Sequence, residues 1–179
     1  MSFCGMTEFE PEDALSNELL VGWLKTRGVT IDEIALLVLD AQKPYLPDIT
    51  LAECREAILR VLDKREVQNT IVTGLALDAL AEKGLLPEPL GTLLRRDDGL
   101  YGVDEMVAIS IANIYGSIGV TNFGYLDKVK PGVIERINGC KENSCNTFLD
   151  DIVAAIAAAA AARIAHNAVC PPQTPQKPA

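Results

Sequence analysis

The sequence lacks most of the side chains on which nucleophilic and zinc-dependent enzymes rely. It contains one histidine, His166, and five scattered cysteines, at positions 4, 54, 140, 145 and 170. A Ser-His-Asp or Cys-His arrangement needs a histidine beside its nucleophile, and a structural zinc site needs four nitrogen or sulfur ligands. We interpret His166 as a residue near the C-terminus of the last predicted helix. We expect no zinc site, and we expect the cysteines to be reduced thiols.

Long hydrophobic runs and an excess of basic residues are also missing. The longest apolar run, Ile152–Ala162, has eleven residues and is mostly alanine, whereas a membrane-spanning helix needs about 20. The N-terminal segment has neither the basic nor the hydrophobic region of a signal peptide. The net charge of −9 disfavours binding to nucleic acid and to anionic lipid. We therefore expect a cytoplasmic protein with at most peripheral contact at the inner face of the membrane.

Helical signals are abundant. Hydrophobic residues make up 49% of the chain, aromatic residues only 5%, and the aliphatic ones recur at helical spacing. Two capping boxes, Thr30 with Glu33 and Thr50 with Glu53, predict the starts of two helices. No run alternates in the way that a strand requires.

The second half of the chain contains three further helical patterns. An apolar stripe predicts one helix over Val103–Ile118, and the next segment predicts another over Asn122–Lys130. Thr147 with Asp150 is predicted to cap a last helix that runs to about residue 167. These patterns extend the helical prediction over most of the chain.

The fold class follows from the length and these patterns. A chain of 179 residues suits one domain with a core of its own. We predict an all-α fold, a single compact helical domain of about six to eight helices around a buried apolar helix. It is predicted to span residues 14–168, between a flexible N-terminal tail at 1–13 and a disordered Pro-rich tail at 169–179.

Two acidic doublets, Asp104–Glu105 and Asp150–Asp151, each open a long apolar stretch. A carboxylate placed against apolar surface costs several kcal/mol unless it is compensated. Four such groups repel one another, and a hard divalent cation would relieve that repulsion. Doublets at helix starts can also simply cap the helix and complement its dipole, which on spacing alone is the more common reason for them. Both doublets lie beside alanines, which would let their helices approach closely.

Five longer motifs carry a resemblance to a known family. The chain resembles the phosphatidylglycerophosphatase A family, and more closely its soluble Gram-positive branch, which is similar to low-temperature-requirement protein C. The resemblance covers roughly residues 18–167. It rests on Lys-Arg-Glu-Val-Gln-Asn (64–69), Gly-Leu-Tyr-Gly-Val-Asp-Glu (99–105), Tyr-Gly-Ser-Ile-Gly (115–119), Thr-Asn-Phe-Gly-Tyr-Leu-Asp-Lys-Val-Lys-Pro-Gly (121–132) and Thr-Phe-Leu-Asp-Asp-Ile-Val-Ala-Ala (147–155).

The resemblance implies a magnesium-dependent hydrolase of the phosphate monoester in phosphatidylglycerophosphate, a step of phospholipid biosynthesis. It implies that the two doublets bind Mg²⁺ and that Asp127 is a further ligand or a general base. Lys130 would neutralise the departing phosphate. The implicated metal ligands are Asp104, Glu105, Asp150 and Asp151.

The first motif adds candidates for substrate binding. Lys64 and Arg65 would contact the phosphate, while Glu66, Gln68 and Asn69 would hold the metal ligands in place from outside. The same charge run is also typical of a solvated helix face.

Three functions remain open at this point. The first is the lipid phosphatase, and the second is a soluble phosphatase that acts on a water-soluble phosphomonoester. The third is a non-catalytic helical regulatory protein whose acidic cluster is a remnant or a structural metal site. The net charge and the lack of membrane spans favour a water-soluble substrate over a lipid. Apolar helix faces and the alanine-rich last helix are compatible with a homo-oligomer.

Overall fold

Nine helices make up the part of the chain that the computed structural model describes, residues 15–97, 99, 101–139 and 144–168. These residues contain no strand, so the all-α prediction is confirmed. The tails predicted at 1–13 and 169–179 lie outside the described residues. In chain order the helices are α1 (Asn17–Thr26), α2 (Ile31–Gln42), α3 (Leu51–Leu62), α4 (Arg65–Glu82), α5 (Leu90–Arg96), α6 (Val103–Asn113), α7 (Gly116–Val129), α8 (Val133–Gly139) and α9 (Leu149–Asn167).

The last helix, α9, forms the centre of the domain. Every residue from Leu149 to Ala162 is buried, and α2, α3, α4, α6, α7 and α8 pack around it. Alanine side chains are short, so the neighbouring helices can approach α9 closely. The predicted buried apolar helix is therefore confirmed. Within the described ranges, no helix is long and apolar enough to cross a bilayer.

The two predicted capping boxes start α2 and α3. The Thr30 hydroxyl accepts from the Glu33 backbone N–H at 3.3 Å, and the Thr30 N–H donates to the Glu33 carboxylate at 2.9 Å. Thr50 and Glu53 repeat both bonds at 3.3 and 2.8 Å. Short-range pairs of this kind satisfy the free N–H groups of a helix start.

The start of α9 differs from the prediction. Thr147 does not cap the helix, because its hydroxyl donates to the Leu94 carbonyl at 2.8 Å. The capping acceptor is Asp78 of α4, which receives the backbone N–H groups of Phe148 at 3.2 Å and Leu149 at 3.1 Å. A side chain from another helix has replaced the local cap, and this places the first turn of α9 relative to α4.

Close approach of α4 to α9 makes this contact feasible. Gly74 lies one turn before Asp78, and a Cβ at Gly74 would lie 3.0 Å from the Cβ of Phe148. Asp78 is fully buried there. Burial raises the pKa of Asp78 to about 7. The hydrogen bond from the Phe148 backbone N–H and the positive charge of Arg27 act in the opposite direction and lower the pKa, but burial outweighs them.

The segment before α9 is fastened to α1 and α4 by Arg27. Its guanidinium pairs with Glu82 at 2.6 Å and donates to the Cys145 carbonyl at 2.6 Å. Glu82 in turn accepts the Cys145 N–H at 2.7 Å. These bonds fix the entry of the chain into α9.

The helix predicted over Val103–Ile118 ends five residues early. α6 ends at Asn113 and α7 begins at Gly116, whose φ of +71° an L side chain rarely adopts. A Cβ at Gly119 would overlap the carbonyl oxygen of Ala112, so the corner requires its glycines. The predicted boundary at 118–122 was wrong, because backbone packing at the corner outweighs the regular apolar stripe.

Removing the Asp78 carboxylate should loosen the start of α9. We expect Asp78→Ala to lower the free energy of unfolding by about 2–4 kcal/mol, because two backbone N–H groups lose a buried acceptor. Asp78→Asn should cost less, since its carbonyl oxygen can still accept. Urea denaturation at neutral pH measures both.

Asp40→Ala, on the exposed surface of α2, is the matched control and should stay within about 0.5 kcal/mol of the wild type. An Asp78→Ala variant as stable as this control would contradict the capping role.

Candidate active site

A lysine lies at the centre of the residues that the motifs implicate. The Lys130 Nζ is 2.9 Å from Asp127 Oδ1, 2.9 Å from Asp150 Oδ2 and 3.6 Å from Asp151 Oδ1. Asp104, at the start of α6, interacts electrostatically with both Lys130 and Asp151. The fold therefore brings four of the predicted carboxylates together around Lys130. We call Asp104, Asp127, Asp150 and Asp151 the acidic cluster.

The backbone at the end of α7 directs Lys130 toward α9. Lys130 is the C-terminal cap of α7 and has a left-handed conformation, with φ of 45° and ψ of 56°. Pro131 follows and cannot continue the helix. Asp127 lies three residues earlier, on the same side of α7. The end of α7 thus presents an acid and a base together.

The acidic cluster contains more negative charge than Lys130 can neutralise. Asp150 is 6% exposed and Asp151 is 3% exposed. Burial raises the pKa of Asp150 even though Lys130 lowers it. Burial, followed by the charge of Asp150, raises the pKa of Asp151 to about 8. Burial alone would lower the pKa of Lys130, but Asp150 and Asp127 raise it overall, so its ammonium stays charged.

Asp104 contributes an oxygen without a partner. Its Oδ1 is buried and accepts no hydrogen bond, and burial raises the pKa of its carboxyl. Glu105, the other member of the first doublet, is exposed on the surface of α6. Adjacent helix residues diverge by about 100°, so the two members of this doublet have different surroundings.

Asp97 is a neighbour of the site that sequence reasoning missed. Its negative charge raises the pKa of both Asp104 and Asp150. It caps the end of α5 in the left-handed conformation, with φ of 48°. In the described ranges, Asp97 and Lys130 are the two non-glycine residues with positive φ, and both adjoin the acidic cluster. The sequence marks Asp97 only by the Asp-Asp-Gly turn composition, which predicts a turn but not its neighbours.

Five other predicted residues lie at the N-terminal end of α4. The Lys64 Nζ lies 5.8 Å from the centre of the Tyr115 ring, and Gln68 donates to the Leu62 carbonyl at 2.9 Å. Asn69 lines a groove between α4 and α6 together with Val103 and Met106, in the turn of α6 that contains Asp104. Substrate binding by Lys64 and Arg65, and support of the metal ligands by Glu66, Gln68 and Asn69, stay predictions.

His166 lies in the last turn of α9 and is exposed. The doublet Asp150–Asp151 lies in the first turn of the same helix. This confirms the interpretation of His166 as a residue near the helix C-terminus, remote from the acidic cluster.

The chemistry of the acidic cluster suits a hard divalent cation. Within the described residues, no three acidic, histidine or cysteine side chains are already gathered as a ligand set. Mg²⁺, however, keeps several waters and commonly takes only one or two carboxylates. The unpartnered oxygen of Asp104 and the raised pKa values of Asp150 and Asp151 are what an uncompensated cation site would show. The residues present therefore fit Mg²⁺.

The raised pKa of Asp151 predicts a pH-dependent stability. The carboxyl titrates near 8 in the folded chain and near 3.9 in the unfolded chain. Between these values the folded state holds a proton that the unfolded state has lost, so stability falls as pH rises. Without metal and above about pH 8, Asp151→Asn should raise the free energy of unfolding by about 1–3 kcal/mol.

The gain should shrink toward zero near pH 4, where both states carry the proton. Asp40→Asn, exposed on α2, should show no such trend in urea denaturation. If Asp151→Asn raised the free energy of unfolding equally at every pH, the assignment of a raised pKa to the Asp151 carboxyl would be contradicted.

Comparison with known proteins finds relatives that align over most of this chain, and the solved ones share its fold. It is 58% identical over 145 residues to the protein YutG of Bacillus subtilis, covering 81% of this chain and 87% of that protein. A solved structure from Bacillus stearothermophilus, described as a protein of unknown function, has a TM-score of 0.82 and 57% identity, covering 85% of this chain and 94% of that one.

The low temperature requirement C protein of Listeria monocytogenes has a crystal structure with a TM-score of 0.81 and 54% identity. The match covers 86% of this chain and 98% of that one. The model of the family described as phosphatidylglycerophosphatase A matches residues 18–166. That range contains α2 to α8 entire and every residue of the acidic cluster, and the chain belongs to the phosphatidylglycerophosphatase A family.

Proposed function

We propose that this protein is a magnesium-dependent phosphatase that hydrolyses the phosphate monoester of phosphatidylglycerophosphate. The observation that carries the proposal is the acidic cluster itself, with four carboxylates from three helix ends around one lysine. A phosphate monoester is an anion, so the site that binds it needs cations. A cluster in which four carboxylates surround one lysine could hold a further cation.

Asp104, Asp150 and Asp151 are the residues that would hold Mg²⁺. Asp104 offers its unpartnered oxygen, and the doublet of α9 offers buried carboxylates whose raised pKa values would return toward normal beside a cation. When bound, Mg²⁺ polarises phosphoryl oxygens and acidifies a bound water. Glu105 is exposed, and the geometry supports it less than the other three.

Lys130 and Asp127 are the members of the site that solvent can reach. Their side chains are 29% and 27% exposed, whereas those of Asp150 and Asp151 are nearly covered. Lys130 would donate from Nζ to a phosphate oxygen and offset the charge that develops on the departing group. Asp127, 2.9 Å from Lys130, would accept the proton of the attacking water. Asp127 would thus act as general base rather than as a buried ligand.

A water-soluble phosphomonoester is the second candidate substrate. The net charge of −9 favours it, since an acidic protein is repelled by an anionic bilayer. The test must therefore include both substrate classes.

The decisive measurement is phosphate release from phosphatidylglycerophosphate in mixed micelles and from glycerol 3-phosphate, with Mg²⁺ and with a chelator. We expect Mg²⁺-dependent release from the lipid substrate. Asp104→Asn and Asp150→Asn should each reduce kcat by about 100-fold or more, because each removes a charge that the transition state depends on.

Asp40→Asn, on α2, should retain wild-type activity. Release that persists in both cluster variants, or no release from either substrate, would overturn the phosphatase. Release from glycerol 3-phosphate alone would overturn the lipid substrate and favour the second candidate.

A further inference from the structure

We propose that Lys130 is a built-in cation that competes with Mg²⁺ for the carboxylates of the acidic cluster, and that its ammonium must leave Asp150 and Asp151 before it can bind the substrate phosphate. This inference rests on the proposed function and names the order in which the same site is filled, metal first and phosphate second. It assigns two successive partners to one side chain, the doublet of α9 and then the phosphate.

The Lys130 ammonium lies beside the carboxylates that would hold the metal. Its Nζ is 2.9 Å from Asp150 Oδ2 and 3.6 Å from Asp151 Oδ1. The ammonium of a lysine is a compact point charge, and Mg²⁺ binds carboxylate oxygens at about 2.0–2.1 Å. Two cations at contact distance from the same oxygens repel each other. Mg²⁺ and the Lys130 ammonium are therefore alternative partners of the doublet.

The doublet cannot release Lys130 without receiving another cation. The side chains of Asp150 and Asp151 are 9% and 4% exposed, so water does little to solvate either carboxylate. Removing one partner of a buried ion pair leaves the other charge uncompensated, at a large cost in stability. A divalent cation in the place of Lys130 removes that cost, because its charge is larger. The doublet therefore exchanges Lys130 for another cation rather than simply losing it.

Lys130 can leave the doublet while its backbone stays in place. The Lys130 N–H donates to the Leu126 carbonyl at 2.7 Å, which anchors the residue at the end of α7. The side chain has a flexible four-carbon stem and is 29% exposed, against 9% for Asp150. Asp127, which is 27% exposed, lies 2.9 Å from the same Nζ on α7 itself. The ammonium can thus turn toward solvent and keep Asp127 as its partner.

The order of binding follows from the charges. While Lys130 is paired with the doublet, the carboxylates around its ammonium repel a phosphate. When the doublet has a metal as its partner, the ammonium is free to bind an anion, and the positive charge of the site has increased. A phosphate therefore binds the metal-loaded site, and by linkage it strengthens the binding of the metal in return.

The test measures Mg²⁺ binding to the full chain by isothermal titration calorimetry, with no substrate added. Lys130→Met removes the competing charge and keeps an unbranched side chain. Lys128→Met is the matched control, because Lys128 lies two residues earlier on α7, is exposed and is outside the acidic cluster. It removes the same charge from the chain without removing the partner of the doublet.

We expect Lys130→Met to bind Mg²⁺ about tenfold more tightly than the wild type, because no ammonium has to be displaced. Lys128→Met should stay within about twofold of the wild type, because solvent and salt screen an exposed charge. Lys130→Arg should bind Mg²⁺ about threefold more weakly, since a guanidinium can bind a carboxylate through two parallel hydrogen bonds. Lys130→Arg keeps the positive charge beside the doublet and decides the test if Lys130→Met does not fold.

Thermal unfolding gives a second readout. Without Mg²⁺, Lys130→Met should unfold at a lower temperature than the wild type, because the doublet has lost its cation. Saturating Mg²⁺ should raise the thermal midpoint of Lys130→Met by more than it raises that of the wild type, because the tighter ligand stabilises more. An equal rise in the two proteins would contradict the exchange.

Three results in the calorimeter would overturn the exchange. One is Mg²⁺ binding that is equal in the wild type and both Lys130 variants, and another is no Mg²⁺ binding by any of them. The third is a gain in Lys128→Met as large as that in Lys130→Met. A failure of the proposed function looks different: tighter Mg²⁺ binding by Lys130→Met, with no phosphate release by the wild type from either substrate, would support the exchange and overturn the phosphatase.

Discussion

The rest of the structure depends on the negative charge that is buried at the start of α9. Asp150 and Asp151 are held there at 6% and 3% exposure, and one lysine, Lys130, faces both of them. The first turn of a helix favours carboxylates because of its free N–H groups. Here, however, Asp78 of α4 takes the first of those groups. The doublet is therefore not needed to cap Phe148 and Leu149, and both of its carboxylates lie beside Lys130.

Most of the fold could be predicted from the sequence, because most of its signals are local. The boxes at Thr30 and Thr50 formed as expected, since each needs only four consecutive residues. The predictions failed where a distant partner decides. Thr147 has the spacing of a cap but bonds to Leu94, and Asp78 replaces it from another helix. The break before Gly116 likewise depends on backbone packing that an apolar stripe does not reveal.

The candidate site could be predicted only in part, and for a related reason. Motif positions identify Asp104, Lys130 and the α9 doublet, which the fold brings together from separate helices. They cannot tell which member of a doublet faces inward: Glu105 is exposed, whereas the Oδ1 of Asp104 is buried. Nor can they tell which elements meet: Asp97, in a turn with no catalytic signature, lies within electrostatic reach of the cluster.

The energetic cost of the site argues that it serves more than the fold. Left-handed backbone at a residue other than glycine costs about 1–2 kcal/mol, and in the described ranges both instances, Asp97 and Lys130, adjoin the acidic cluster. Surplus buried carboxylates add to that cost. If the start of α9 had only a structural role, neutral residues there would cost less free energy, since Asp78 already caps the helix. Under the proposed function, a cation bound by the α9 doublet and by Asp104, whose Oδ1 is unpartnered, would offset that cost.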